Sequence, residues 1–207
     1  MEDTFQTLLL LATNNPAKVE EYRLLLKGLP WELTTLEERG IHFKVEETGK
    51  TMEENAALKA RAYAARSGLV AVADDSGLEV EALGGGPGPI SARYAGEVAS
   101  DRERVAFLLE KLRGVPWEKR KARFRCVIAL ATPEGKLELC QGECKGIIAQ
   151  EPKGKEGFGY DPVFYLPELG KHMAELTMQE KNRISHRGRA ARKARRILLR
   201  LLESIPS

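Results

Sequence analysis

The two longest strand-like stretches of the sequence follow each other directly. Residues 123–131 and 137–149 are joined by a short segment that contains Pro133-Glu134-Gly135. This spacing predicts an antiparallel hairpin with a three-to-five-residue loop. Parallel neighbours need a long crossover connection, so a hairpin does not arise in a purely parallel sheet. The chain therefore cannot consist of repeated strand–helix units alone.

The N-terminal part alternates strands with helices. Thr7–Thr13 is an apolar run typical of a buried strand. A polar turn follows, and Pro16 is favoured at the start of a helix. Thr51, with Glu54 three residues later, fits a capping box that opens a second helix. Gly68 stands where that helix should end.

The C-terminal part adds two more helices. Ser100 and Glu103 form another capping-box pattern. A final helix is predicted over about residues 188–202. Its apolar face would comprise Ala190, Ala194, Ile197, Leu201 and Ile205. Strands, helices and a hairpin in this order predict an α/β fold with a mixed central sheet and flanking helices.

Two adjacent aspartates follow an apolar run. Leu69–Ala73 reads as a buried strand that ends on Asp74, Asp75, Ser76 and Gly77. Ligands of α/β proteins bind where strands open into a crevice, and adjacent carboxylates there usually hold a hard cation. This points to metal-assisted chemistry on an anionic substrate. The alternative interpretation is a plain Asp-Ser-Gly turn after a strand.

Two polar segments near the N-terminus could join this chemistry. Thr13–Lys18 lies between a strand and a helix, where free N–H groups and a lysine suit phosphate. The alternative there is a capped helix with a solvated lysine. Glu46 and Glu47 could add a carboxylate to the shell of Mg²⁺, which takes one or two carboxylates together with waters and phosphate oxygens. The alternative there is a charged surface loop.

Two segments of the C-terminal part suit a purine base. Gly157–Pro162 contains Phe158 and Tyr160, whose rings offer flat surfaces for stacking. Ahead of the last helix, His186 and Arg187 can donate hydrogen bonds to a carbonyl oxygen. The alternatives are a turn with packed aromatic rings and solvated basic residues beside a helix cap.

Together these segments resemble the inosine triphosphate pyrophosphatase family. The matching segments are Thr13–Lys18, Glu46–Lys59, Ala73–Gly96, Gly157–Pro162 and Glu180–Gly188. The resemblance implies one domain over residues 1–207, with two lobes around a substrate cleft, and a homodimer. It also implies Mg²⁺-dependent hydrolysis of ITP, dITP and XTP to the monophosphate and pyrophosphate.

The resemblance also implies a role for each site residue. Asp75 would be the catalytic base and a metal ligand, and Glu46 the second metal ligand, with the neighbouring Glu47 as the alternative. The substrate-binding set would be Thr13, Asn14, Asn15, Pro16, Ala17, Lys18, Lys59, Ser76, Phe158, Gly159, Tyr160, Asp161, Lys181, His186 and Arg187.

Charge and hydropathy bear on the other classes of function. Residues 181–200 contain nine Lys or Arg and no acidic residue, which keeps a nucleic-acid-binding module open as an alternative. The regular spacing instead favours the solvated face of an amphipathic helix, and hence no nucleic-acid partner. A nucleotide sensor without turnover is a third possibility. With no span of about 18 apolar residues and no signal-like N-terminus, we expect a cytoplasmic protein without membrane contact.

Overall fold

The structure is a computed structural model, and it describes residues 7–203. The strands of this part are β1 (Thr7–Leu11), β2 (Trp31–Thr35), β3 (Val70–Val80), β4 (Lys121–Ala131), β5 (Leu137–Ile148), β6 (Phe164–Leu166) and β7 (Lys171–His172). Its α-helices are α1 (Pro16–Leu25), α2 (Met52–Ser67), α3 (Asp101–Lys111), α4 (Met178–Ile184) and α5 (His186–Glu203). No helix within residues 7–203 is both long and apolar enough to cross a membrane.

The strands form one mixed sheet in the order β2-β1-β3-β4-β5-β6-β7. Strands β2 and β3 pair with β1 in parallel, whereas β6 pairs antiparallel with β5 and β7. The predicted hairpin is present: β4 and β5 are neighbours, and the Thr132 N–H donates to the Lys136 carbonyl at 2.9 Å in the turn between them. The predicted mixed α/β fold is therefore confirmed.

The chain divides into two compact units. The first contains residues 7–75, 127–141 and 190–203, and the second contains residues 76–126 and 142–189. Small side chains of α2 such as Ala56 and Ala60 pack in the core of the first unit with Leu10. The core of the second unit is built from larger side chains, among them Leu108 and Phe164.

The helix caps are present, but the predicted capping box of α2 is only half formed. The Thr51 side chain accepts from the Glu54 N–H at 3.1 Å, whereas the Glu54 side chain accepts from the Lys50 N–H at 2.6 Å. Gly68 ends α2 in the left-handed conformation, with φ +69°. Ser100 and Glu103 form the complete capping box of α3. Local patterns were sufficient here because a cap uses only residues within one turn of the helix.

The strand that carries Asp74 and Asp75 ends later than predicted. Strand β3 does not end there but continues to Val80, so Asp74 and Asp75 lie within the strand. The paired stretch of β1 ends earlier, with Leu11 opposite Val72. The carboxylates are therefore placed just beyond the end of the β1 ladder. The turn tendency of Asp-Ser-Gly is overridden by the continuing strand.

The end of the chain also differs from its prediction. Helix α5 begins at His186, two residues earlier than expected, and α4 precedes it without having been predicted. Ser185 lies between the two helices in an extended conformation. The predicted apolar residues of α5 are buried as far as Leu201, and Ile205 lies outside the described residues.

Candidate active site

The loop after β1 caps α1 and presents a lysine. The Asn15 side-chain oxygen accepts from the N–H groups of Ala17 and Lys18, at 3.0 and 3.3 Å. Thr13 Oγ1 accepts from the Asn15 N–H at 3.2 Å. The Asn15 side chain is thus engaged in the helix cap, which fixes the direction in which the chain enters α1. Asn14, beside it, is exposed.

Lys18 is paired rather than solvated. Its Nζ lies 3.0 Å from each carboxylate oxygen of Asp74. The Asp74 side chain is 1% exposed, and that of Lys18 is 15% exposed. A buried carboxylate needs such a partner, because an isolated charge is costly to remove from water. This contact connects the loop after β1 to the acidic pair of β3.

Asp75 contacts α2. Asn55 Nδ2 donates to Asp75 Oδ2 at 3.3 Å, and Lys59 Nζ lies 3.8 Å from Asp75 Oδ1. Asp75 is 6% exposed. Successive residues of a strand point to opposite faces of the sheet. This accounts for the different partners of the two aspartates, α1 for Asp74 and α2 for Asp75.

The surroundings of Asp75 bring its titration close to neutral pH. Burial is the largest cause, and together with the nearby carboxylates of Glu47 and Asp74 it raises the pKa of Asp75 to about 6. The ammonium groups of Lys59 and Lys18 oppose this rise. A carboxylate with such a pKa can accept a proton near neutral pH, as a general base must.

Of the two candidate glutamates, Glu47 is the one placed in this cluster. Glu47 Oε1 lies 2.5 Å from Lys59 Nζ, whereas Glu46 is exposed. Burial by itself would lower the pKa of Lys59, but the carboxylates of Asp75, Asp74 and Glu47 outweigh it and raise that pKa. Lys59 therefore stays charged between two carboxylates.

Asn55 is a site residue that sequence reasoning missed. It is fully buried in α2, and its Oδ1 accepts from the Gly49 N–H at 2.8 Å while its Nδ2 donates to Asp75. A Cβ on Gly49 would lie 2.6 Å from that Asn55 oxygen, so only glycine fits there. An asparagine inside a helix has poor helix propensity, and this was the available signal.

The carboxylate cluster fits a hard cation. No group of three or more His, Cys, Asp or Glu side chains within residues 7–203 is arranged to hold a metal ion. Magnesium needs only one or two carboxylates, with waters and phosphate oxygens as its other ligands. Asp75 and Glu47 supply oxygen donors, and both already face the positive charge of Lys59. The donor set therefore suits Mg²⁺.

The second unit holds the aromatic loop. The Phe158 N–H donates to Asp161 Oδ2 at 2.9 Å, and Lys181 Nζ lies 2.6 Å from the same oxygen. The Lys181 and Asp161 side chains are 2% and 4% exposed. A Cβ on Gly157 would collide with Asp161 Oδ2, so this close approach requires glycine. The loop is thus held by a buried ion pair.

Two cations lie near the Phe158 ring. Lys181 Nζ is 4.6 Å from the ring centroid, and Arg187 Cζ is 5.4 Å from it. Arg187 Nη2 also donates to Ser76 Oγ at 3.0 Å. His186 stacks on Phe124, with ring centroids 4.7 Å apart and planes 19° apart. These contacts gather flat rings and hydrogen-bond donors, as purine recognition requires.

The junction of α4 and α5 brings these donors together. Ser185 Oγ accepts from the Gly188 N–H at 3.1 Å and so caps α5. A Cβ on Gly188 would collide with the Asn182 carbonyl oxygen. The close approach of α4 to α5 therefore depends on glycine at this position, and Lys181 of α4 and Arg187 of α5 both lie near the Phe158 ring.

A family model covers nearly the whole chain. The model of the Ham1 family matches residues 9–197. The chain belongs to the Ham1 family. The resemblance to inosine triphosphate pyrophosphatases is thereby confirmed.

Relatives in the Ham1 family are similar in sequence to this chain over most of their length. The dITP/XTP pyrophosphatase of Desulforamulus reducens is 52% identical over 193 residues, which is 93% of this chain and 96% of the relative. One from Thermus thermophilus is 53% identical over 182 residues, 88% of this chain and 87% of the relative. The solved structure of a HAM1 protein from Coxiella burnetii is 44% identical, with a TM-score of 0.85, and the match covers 94% of this chain and 99% of that one.

In this Ham1-family chain Tyr160, like Glu46, has a different environment from the one expected. We expected both Phe158 and Tyr160 to offer stacking faces, but Tyr160 is only 4% exposed and packs in the core. Its hydroxyl donates to the Ser91 carbonyl at 2.9 Å, and burial raises its pKa to about 12. Tyr160 therefore anchors the loop, and Phe158 is the half-buried ring.

Proposed function

We propose that this protein hydrolyses non-standard purine nucleoside triphosphates, namely ITP, dITP and XTP, to the nucleoside monophosphate and pyrophosphate. The observation that carries the proposal is Asp75, a buried carboxylate with a pKa of about 6 beside Lys59 and Asn55. The names of the Ham1-family relatives, dITP/XTP pyrophosphatases, support the same reaction.

In this proposal the carboxylate cluster acts on the triphosphate. Asp75 accepts a proton from the water that attacks the α-phosphorus, and the bond from that phosphorus to the bridging oxygen of the pyrophosphate breaks. Lys18 and Lys59 offset the charge that develops on the leaving pyrophosphate. We expect no covalent intermediate, because water is the nucleophile.

We propose Mg²⁺ as the cofactor, held by Asp75 and by Glu47 rather than by Glu46. Glu47 is supported because it shares Lys59 with Asp75, whereas Glu46 is exposed. When bound, Mg²⁺ would supply a Lewis acid for the phosphate oxygens. Until then, the Lys59 ammonium gives both carboxylates a positively charged neighbour.

The aromatic cluster is proposed to select the base. Phe158 would stack on the purine, while Lys181, His186 and Arg187 would donate to the oxygen at position six of hypoxanthine or xanthine. Adenine carries an amino group there, so it would present a donor where these side chains also present donors. A site built to hydrogen-bond a substrate group rejects the analogue that lacks it by about 10⁴ or more.

The structure favours this enzyme over a nucleic-acid-binding module. Basic side chains of α5 are engaged within their own unit: Arg195 donates to the Leu25 and Lys27 carbonyls at 3.0 and 2.9 Å, and Arg200 pairs with Glu138 at 2.7 Å. Such contacts are typical of a helix that packs against neighbouring elements of the same unit. A steep loss of RNA or DNA binding with salt would instead support the module.

We further propose that the protein is a cytoplasmic homodimer, as its family resemblance implies. Light scattering of the purified protein would give the mass of the assembly. A mass near that of one 23.0 kDa chain would refute the dimer.

A panel of eight nucleoside triphosphates, with the products separated, tests the proposed function. ITP, dITP and XTP should give the monophosphate and pyrophosphate, and ATP should be largely spared. Diphosphate as the product, or equal rates on ATP and ITP, would refute the proposal. Binding of ITP without any product would indicate a sensor instead.

Two matched variants test the choice of the second carboxylate. Glu47→Gln should reduce turnover by about 10²-fold or more and raise the Mg²⁺ requirement, because a ligand of the metal is lost. Glu46→Gln changes the same charge one residue away and should stay near the wild-type rate. The reverse ranking would restore Glu46 as the ligand.

A further inference from the structure

The first residue of α3 reaches the aromatic loop. Asp101 Oδ2 accepts from the Gly159 N–H at 2.6 Å, across 58 positions of sequence. The capping of α3 is done by other groups, because Ser100 and Glu103 form its capping box. The Asp101 carboxylate therefore serves a tertiary contact and not the start of its own helix.

Arg104 holds this carboxylate in place. Its guanidinium pairs with Asp101 Oδ1, and its Nη1 donates to the carbonyls of Ala92 and Ala99 at 2.7 Å each. Burial by itself would raise the pKa of Asp101, but the hydrogen bonds from Arg104 and from the Gly159 N–H outweigh it and lower that pKa. Asp101 is therefore ionised at neutral pH and accepts a charge-assisted hydrogen bond.

The contact acts on the peptide that carries Phe158. The Gly159 N–H lies in the same rigid peptide plane as the Phe158 carbonyl, so fixing it limits the rotation of Phe158 about its backbone. Gly159 has φ +64°, a conformation that only glycine adopts readily. Its neighbours are held as well, Phe158 by Asp161 and Tyr160 by Ser91.

We propose that Asp101 is a positioning residue for purine recognition: through the Gly159 N–H it fixes the Phe158 ring in the orientation on which the base stacks. The inference rests on the proposed function, since it assigns the base to Phe158. Asp101 itself touches neither the base nor the phosphates in this proposal. Its loss should therefore weaken purine binding and leave the proton transfer at Asp75 intact.

Three variants test the proposal. Asp101→Ala removes the acceptor, whereas Asp101→Asn keeps an oxygen that can accept from Gly159. Glu103→Ala is the matched control, because it removes a carboxylate of the same first turn whose hydrogen bonds go to Ser100 and not to the aromatic loop. It should cost α3 part of its capping without a change at the loop.

Three measurements are made. The first is the binding of inosine monophosphate (IMP), the monophosphate product expected from ITP, by calorimetry. The others are the KM and kcat for dITP and the NMR amide resonance of Gly159. For Asp101→Ala we expect about a tenfold rise in the IMP dissociation constant and in KM, with kcat nearly unchanged and the Gly159 amide shifted. Asp101→Asn should restore most of the affinity. Glu103→Ala should keep the wild-type values of both constants.

Several results would overturn the proposal. Equal rises in KM for Asp101→Ala and Glu103→Ala would reduce Asp101 to a structural residue, and a fall in kcat alone would place its effect on the chemistry. A wild-type protein that binds IMP but hydrolyses no triphosphate would refute the proposed function, while the IMP measurements would still decide the role of Asp101. A wild-type protein that neither binds IMP nor hydrolyses dITP would refute both.

Discussion

The buried pair of Lys181 and Asp161 gives a prediction with a definite magnitude. Lys181→Met retains the length of the side chain and removes the ammonium that lies 2.6 Å from Asp161 Oδ2. Both side chains are almost fully buried, so little water can replace the lost partner. Removing one member of a buried pair costs about 3–5 kcal/mol of unfolding free energy. At about 2–4 °C per kcal/mol for a chain of this size, the melting temperature should fall by roughly 6–20 °C.

The same unit offers an exposed pair as a control. Lys153 Nζ lies 2.9 Å from Glu175 Oε1, and the lysine side chain is 67% exposed. Lys153→Met should cost only about 0–1 kcal/mol, because water screens such a pair. Urea unfolding at pH 7 of the wild type and the two variants measures both losses. Equal losses would refute the reasoning, since burial is the main difference between the two pairs.

Further predictions concern the carboxylate cluster and the α4–α5 junction. Asp75→Asn should abolish turnover. Because the pKa of Asp75 is raised from 3.8 to about 6, its ionisation destabilises the folded state. In EDTA the variant should therefore melt above the wild type at pH 8, and the difference should vanish below about pH 4. Equal melting at both pH values would contradict the raised pKa. EDTA should stop dITP hydrolysis and added Mg²⁺ should restore it; turnover unaffected by EDTA would exclude the metal. Gly188→Ala should lower the melting temperature, although alanine normally stabilises a helix relative to glycine by about 1 kcal/mol. The new Cβ would collide with the Asn182 carbonyl oxygen, and a variant as stable as the wild type would mean that the two helices separate freely.

Elements with local signals could be predicted from the sequence. Helices α2 and α3 carry caps at their first residues, and the hairpin of β4 and β5 is marked by its turn. Each signal lies within a few residues of the element that it predicts. Helix α4 has seven residues and a capping box at Thr177 and Glu180, yet its pattern is too short to show an apolar face. It was missed for that reason.

The residues of the candidate site also differ in how well the sequence predicts them. The charged and aromatic residues proposed for chemistry, such as Asp75 and Lys181, stand out by residue type. The residues that hold them do not, because Asn55 and Asp101 act through contacts 20 and 58 positions away. Polar residues of this kind occur throughout any sequence, and only the fold shows which of them are buried against a partner.

The continuation of β3 through the acidic pair shows how tertiary contacts decide such a case. Asp-Ser-Gly favours a turn because an aspartate in a turn bonds its own backbone. Here Lys18 reaches Asp74 from α1, while Asn55 and Lys59 reach Asp75 from α2. With both carboxylates satisfied by side chains, the backbone can remain extended as far as Val80. The same packing buries Asp75, and this burial raises its pKa while the ammonium groups of Lys59 and Lys18 limit the rise, so the fold and the proposed chemistry depend on the same carboxylate and its partners.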